Sequence, residues 1–218
     1  MKSPGKRSPP KLAASPVRKK PRRHPAAAAA LCALTLLVYA NSFRAGFTLD
    51  NKGLIVEDPR LRAANAENVG QILDHSYWWP QGESGLYRPV TTLSYLFNYS
   101  VLGNGGQPEG YHWVNLLLQC GNVLLVYALA LRLWAEFWPA VFTAALWAAH
   151  PVLTESVTNI AGRADLLAGM AVLGSLLLYL KSKESAGWRR WAWLAALMAM
   201  SAMGMFSKES AAVIPAVI

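Results

Sequence analysis

Between His150 and Asp165 the chain places His150, Glu155, Arg163 and Asp165 between two apolar runs, and Lys208 with Glu209 follows a later one. Ionisable side chains amid membrane-length segments are costly unless they are wet, paired or in use. These positions therefore mark the face on which chemistry is expected. Arg163 and Lys208 are the types that hold a phosphate leaving group, Arg as a bidentate fork and Lys as a point charge. Glu155 and Asp165 either orient those cations or coordinate a divalent metal together with the phosphate. Taken singly, Asp165 also reads as a helix N-cap and Lys208-Glu209 as a solvated pair. Asp50 follows directly on the first apolar run, in Phe47-Thr48-Leu49-Asp50-Asn51. A carboxylate at the water boundary can take the proton of an attacking hydroxyl. The bland alternative is an Asp that caps a turn, a reading that suits Asp58, before Pro59, even better.

His112, Asn115, Gln119 and Asn122 recur at helical spacing and share one face. That face looks inward, either bonding neighbouring helices or lining a polar cavity, and His112 and Asn115 at its outer end are the better placed for chemistry. Asn98-Tyr99-Ser100 is a glycosylation sequon on the expected outer side. Cys32 and Cys120 lie inside apolar runs, where cysteine acts as a small packing residue, with no zinc spacing or disulfide framework.

The elements that must position these groups are membrane helices. Hydrophobic residues make up 54% of the chain and charged ones 15%, and the apolar residues fall in long runs instead of the alternating pattern of a soluble core. The expected fold is all-α: a disordered basic cytoplasmic tail over 1–25, a first span over 26–43, a non-cytoplasmic loop over 44–111 and a bundle over 112–218. Within the bundle, spans fall at about 113–133, 137–153, 164–180 and 190–206, each near the roughly 20 residues needed to cross the hydrocarbon layer. A further span starts at 211, so the chain is expected to be an incomplete piece of a longer polypeptide. Residues 26–43 also admit a signal-peptide reading, but the tail is long for a signal and no clean small-x-small site stands at Tyr39, Ala40 and Asn41.

All nine basic residues before Pro25 lie in a stretch without an acid, and the other twelve Lys and Arg balance twelve Asp and Glu. The net charge of +9 thus belongs to the tail, which removes the footing for a nucleic-acid partner and leaves attraction to anionic lipid as its sharper use. Arg132, Lys181, Lys183, Arg189 and Arg190 fall in the loops expected in the cytoplasm, and ten of the twelve acids fall opposite. The 44–111 loop is too long for a connector. It is expected to hold short helices, one after Pro89 with Val90, Leu93, Leu96 and Phe97 lying flat in the interface, and the aromatic cluster Tyr77-Trp78-Trp79 resting there.

At these residues the sequence resembles the transmembrane and tetratricopeptide-repeat family of protein O-mannosyltransferases and their bacterial relatives. The likeness covers roughly residues 35–215. It rests on Ala40-Asn41-Ser42, Phe47-Thr48-Leu49-Asp50, Tyr87-Arg88-Pro89-Val90, Tyr111-His112-Trp113-Val114-Asn115, His150-Pro151 with Thr154-Glu155, Gly162-Arg163-Ala164-Asp165-Leu166-Leu167 and Ser207-Lys208-Glu209. It implies a multispan glycosyltransferase of the C type, taking sugar from a polyprenyl-phosphate carrier to a Ser or Thr hydroxyl of a protein on the non-cytoplasmic side. The membrane is then that of the endoplasmic reticulum or the bacterial inner membrane. In that reading Asp50 is the base, Arg163 and Lys208 stabilise the departing phosphate, and Arg88, His112, Asn115, His150, Glu155, Asp165 and Glu209 shape the pocket. No cofactor is implied beyond the divalent metal left open above. Members of the family usually carry two adjacent acids where this chain has Asp50-Asn51, and the repeats do not occur before Ile218. The alternative is a non-catalytic membrane scaffold or anchor built from the same motifs.

Overall fold

Pro108 opens the longest helix of the molecule, because its missing N–H costs nothing in a first turn. In the computed structural model, which describes residues 23–48, 50–83 and 85–218, this helix runs from Pro108 to Trp134. Twenty-seven residues give it a length of about 40 Å. In chain order the helices are α1 (Arg23–Val38), α2 (Ala66–Asp74), α3 (Pro89–Leu96), α4 (Pro108–Trp134), α5 (Phe137–Ala148), α6 (Thr154–Thr158), α7 (Arg163–Lys183), α8 (Gly187–Met205) and α9 (Ile214–Val217). Short 3₁₀ and π turns join them, and no strand occurs among the described residues. The protein is thus an all-α, multi-pass membrane protein. Three segments are long and apolar enough to cross a bilayer: Arg23–Arg44, Pro108–Trp134 and Ile160–Lys183. The basic tail expected over 1–25 lies outside the described residues except for Arg23, His24 and Pro25, which open α1.

Around α4 the bundle closes through small residues. Ala140, Ala144 and Ala148 of α5 and Ala27 and Leu31 of α1 are buried against Val123, Tyr127 and Ala130 of α4. Close backbone approach of this kind is how helices associate where lipid removes the hydrophobic drive. The same device joins α7 to α8, where a Cβ on Gly204 would stand 2.5 Å from that of Ala171 and 3.0 Å from that of Ala211. The expected span 137–153 resolves into the twelve residues of α5, about 18 Å of helix. It stops because His150 precedes Pro151 and must leave the helical region, and His150 is extended at ψ 128°.

The segment between α1 and α4 builds a core of its own. Leu54, Ile55, Leu61, Ile72, Tyr77, Tyr95 and Tyr111 are all buried in it together with Ile160. Its polar framework is the buried pair Asp58–Arg60, 2.8 Å apart. Asp58 accepts from the Arg60 backbone N–H, and the guanidinium donates to the carbonyls of Ser76 and Trp79. A buried cation with its counter-charge and carbonyl acceptors is satisfied, and removing either partner strands the other. Two expectations change here. Tyr77 is turned into this core instead of resting on an interface, and the buried face of α3 includes Thr91, Thr92 and Tyr95 as well as Leu96. Phe97 alone of the expected apolar stripe stands well exposed.

Candidate functional site

Asp50 begins the helical turn after the first apolar segment, and its neighbour Asn51 fixes where that turn sits. The Asn51 side chain is buried and its Oδ1 accepts from the Ala161 backbone N–H at 2.8 Å. The loop carrying Asp50 is thereby pinned to the turn that precedes α7. That turn is itself tight: a Cβ on Gly162 would fall 2.4 Å from the Ser156 carbonyl oxygen, so only glycine lets α6 fold back onto the start of α7.

Opposite, the turn after α8 is tied to the start of α3. The Val90 N–H donates to the Phe206 carbonyl at 3.1 Å and Thr91 Oγ1 donates to the Ser207 carbonyl at 2.9 Å. These two bonds bring Arg88 alongside Lys208 and Glu209. Arg88 grips Glu209 as a fork, Nε to Oε1 at 3.0 Å and Nη2 to Oε2 at 2.7 Å, and lies over the Tyr77 ring at 5.1 Å. Lys208 Nζ donates to Asp165 Oδ1 at 2.6 Å.

The result is a cavity of about 430 Å³ with Asp50, Glu155 and Asp165 as its acids and Arg88 and Lys208 as its cations. Trp78, Leu54 and Val152 supply apolar wall, and Ser156 and Asn159 add neutral polar groups. Electrostatics follow the contacts. The Arg88 hydrogen bonds hold the Glu209 carboxyl below its ordinary pKa, although partial burial pulls the other way. Burial works against the charge on Arg88, yet its bonds to Glu209 outweigh that and leave its pKa raised. Burial pushes the Tyr77 phenol well up, so it stays neutral and acts by shape.

Of the residues singled out by sequence, Asp50, Arg88, Glu155, Asp165 and Lys208 line this cavity and Glu209 backs it through Arg88. Arg163 does not line it. Its guanidinium is fully buried, donating to Asn115 Oδ1 at 2.8 Å, Asn98 Oδ1 at 2.6 Å and the carbonyls of Ser94 and Tyr111, both at 3.1 Å. The faces of Tyr95 and Tyr111 stand at 5.0 and 5.6 Å. No phosphate can reach it without dismantling α3, α4 and α7 together, so the expected clamp is a structural knot beneath the site. Asn115 is part of that knot, also donating to the Asn159 and Ile160 carbonyls. His112 is buried with Nε2 at 2.9 Å from the Ala45 carbonyl. Three of the four residues on the inward polar face of α4 thus bond neighbouring segments, Asn122 donating to the Leu166 carbonyl at 2.9 Å, while the buried Gln119 amide has no hydrogen-bond partner among the described residues.

His150 stands exposed outside the cavity lining, its Nδ1 accepting from the Val152 N–H to cap the turn Pro151–Leu153. The sequon is also reassigned. Asn98 Nδ2, the atom a glycan would modify, is buried and donates to Asn104 Oδ1 and the Gly110 carbonyl. Among the described residues no three His, Cys, Asp or Glu side chains gather as a metal would need, so Glu155 and Asp165 do not make a cage by themselves. Sequence reasoning passed over Asn159 and Ser156. The first caps the turn Ile160–Gly162, its Oδ1 accepting from the Ala161 N–H at 3.1 Å, and an Asn placed to cap a turn was the available signal.

No family model matches the chain and no solved structure matches it. It is 35% identical over 192 residues to the protein O-mannosyl-transferase Tmtc2 of Drosophila melanogaster, an alignment covering 83% of this chain and 20% of that protein. It is 31% identical over 194 residues to the protein O-mannosyl-transferase TMTC2 of Homo sapiens, covering 85% and 22%, and 31% over 198 residues to human TMTC4, covering 81% and 26%. The chain therefore spans about a fifth to a quarter of the length of the curated relatives it matches. With that likeness running through more than four fifths of its own length, the chain is homologous over that stretch to protein O-mannosyl-transferases of the transmembrane and tetratricopeptide-repeat family.

Proposed function

We propose that this chain carries the donor and catalytic face of a membrane glycosyltransferase, which moves mannose or a related hexose from a polyprenyl-phosphate carrier to Ser or Thr hydroxyls of a protein. Asp50 takes the proton of the acceptor hydroxyl as its oxygen attacks the anomeric carbon. The bond from that carbon to the carrier phosphate breaks, its electron pair leaves with the phosphate, and Lys208 and Arg88 stabilise the charge that develops there. Glu155 and Asp165 hold the cations and the sugar hydroxyls in register. Arg163 acts as a positioning residue that keeps α3, α4 and α7 in place below. A basic leader kept in the cytoplasm puts the cavity on the opposite side of the endoplasmic reticulum or bacterial inner membrane.

The observation that carries this reading is that Asp50 and the Arg88 and Lys208 cations line one cavity. Its test is sugar transfer from a polyprenyl-phosphate-mannose donor to a Ser/Thr peptide by membranes containing the protein. Asp50→Asn is expected to lower the rate about 100-fold or more with the helical fold retained; an undiminished rate removes Asp50 from the role. A second reading, a non-catalytic scaffold, is favoured by one feature: each cavity cation already has an internal carboxylate, Asp165 or Glu209. A scaffold shows no binding of the lipid-linked sugar, whereas the enzyme binds it and exchanges those carboxylates for phosphate.

A further inference from the structure

A second cavity lies at the other end of α7. Asp165 borders the first cavity, and Lys181, sixteen residues further along the helix and about 24 Å down its axis, borders this one. It is a groove of about 620 Å³ between α4, α7 and α8, walled by Leu125, Ala128, Leu177 and Met200 and carrying Arg132 and Lys181 at its rim. Lys183, Arg189 and Arg190 add positive charge at the same end of the bundle. Arg132 now pairs with Glu184, whose side chain is 59% exposed, and Lys181 Nζ lies 4.8 Å above the Trp193 ring.

Cations at the ends of α4 and α7 complement the helix dipoles wherever they occur. That effect does not account for an apolar groove running directly below them. A soluble anion would leave the aliphatic walls unused, and a neutral hydrocarbon chain would leave the cations unused. An acyl chain with an anionic headgroup uses both. We propose that the groove seats an anionic phospholipid, its chain against Leu125, Leu177 and Met200 and its phosphate between Arg132 and Lys181, on the membrane face opposite Asp50. The exposed Arg132–Glu184 pair is of the kind that contributes little by itself, so the headgroup displaces Glu184. Basic pockets between helices on the cytoplasmic side are sites of this type.

The test is native mass spectrometry of the purified protein in detergent, titrated separately with phosphatidylglycerol and phosphatidylcholine. The intact protein is expected to retain phosphatidylglycerol about tenfold more strongly. R132Q/K181Q is expected to abolish that preference, and Glu184→Gln to strengthen retention by removing the competing carboxylate. Leu177→Trp fills the groove without touching a charge and is expected to expel the lipid. Far-UV circular dichroism identifies variants that keep their helices, and Glu184→Gln keeps the test open even where the double variant does not fold. Equal retention of the two lipids by the intact protein, an undiminished preference in R132Q/K181Q, or cross-links showing a second copy in the groove each overturns the proposal.

Discussion

Arg163 shows how far a residue's type can mislead about its place. Its chemistry suits a phosphate, but its four donor contacts to Asn115, Asn98, Ser94 and Tyr111 use the guanidinium entirely inside the protein. No carboxylate is among these partners. The charge is held by oriented carbonyls and amides and by two tyrosine faces, which is why a fork is needed there and a point charge fails. Arg163→Ala is therefore expected to destabilise the protein by about 3 to 5 kcal/mol, leaving buried acceptors unpaired. Arg163→Lys is expected to recover only a small part of that loss. A thermal scan in detergent with no substrate present checks both, because a residue that only clamped phosphate would leave the melting point unmoved. Glu209 gives a pH-dependent counterpart. Arg88 depresses its pKa in the folded state, so the stabilisation is present above the ordinary carboxyl range and is lost as pH falls through the depressed value. Between pH 7 and 3 the intact protein is expected to lose a small increment, no more than about 1 kcal/mol because the Glu209 side of the pair is half exposed. Glu209→Gln should lack that increment at every pH in the same scan. Sequence types alone drew attention to both residues, but nothing in the string records which way a guanidinium turns.

At the scale of elements, the helices were legible and the folded loop was not. Long apolar runs announce α1, α4 and α7 because a single segment satisfies its own backbone in hydrocarbon only as a helix. The polar stripe His112, Asn115, Gln119, Asn122 announced the inward face of α4 from spacing alone. The loop between α1 and α4 follows instead from contacts distant in sequence, such as Asn51 to Ala161 and Thr91 to Ser207, which have no local signature. Even the motif Gly162-Arg163 carries two separate jobs, a tight backbone approach and a buried knot. Gly162→Ala tests the first. Its new methyl group would meet the Ser156 carbonyl, and overpacking of this kind costs about 1 to 3 kcal/mol. Because Ser156 belongs to the helix that also bears Glu155, the strain is expected to displace one wall of the cavity. The measurable consequence is a lower melting point together with a larger loss of the proposed sugar transfer than the lost stability explains.

Across the whole molecule, charge is sorted by end. Asp50, Glu155, Asp165, Arg88 and Lys208 gather around one cavity, while Arg132 and Lys181 border another at the far end of α7. An α7 of twenty-one residues, about 31 Å long, is the length that separates two aqueous rims across a hydrocarbon layer. If α7 crosses the membrane, reagents unable to permeate must reach the two groups from opposite sides. The exposed positions Glu155 and Glu184 serve as reporters, placed as single cysteines in a background where Cys32 and Cys120 are replaced by alanine. Sealed vesicles of one orientation are expected to label Glu155→Cys from one face only and Glu184→Cys only after permeabilisation, with the pattern reversed in inverted vesicles. Labelling of both cysteines from the same face would mean that α7 does not span. The cavity would then lose its proposed place on the acceptor side, and the proton transfer proposed for Asp50 would have no lipid-linked donor within reach.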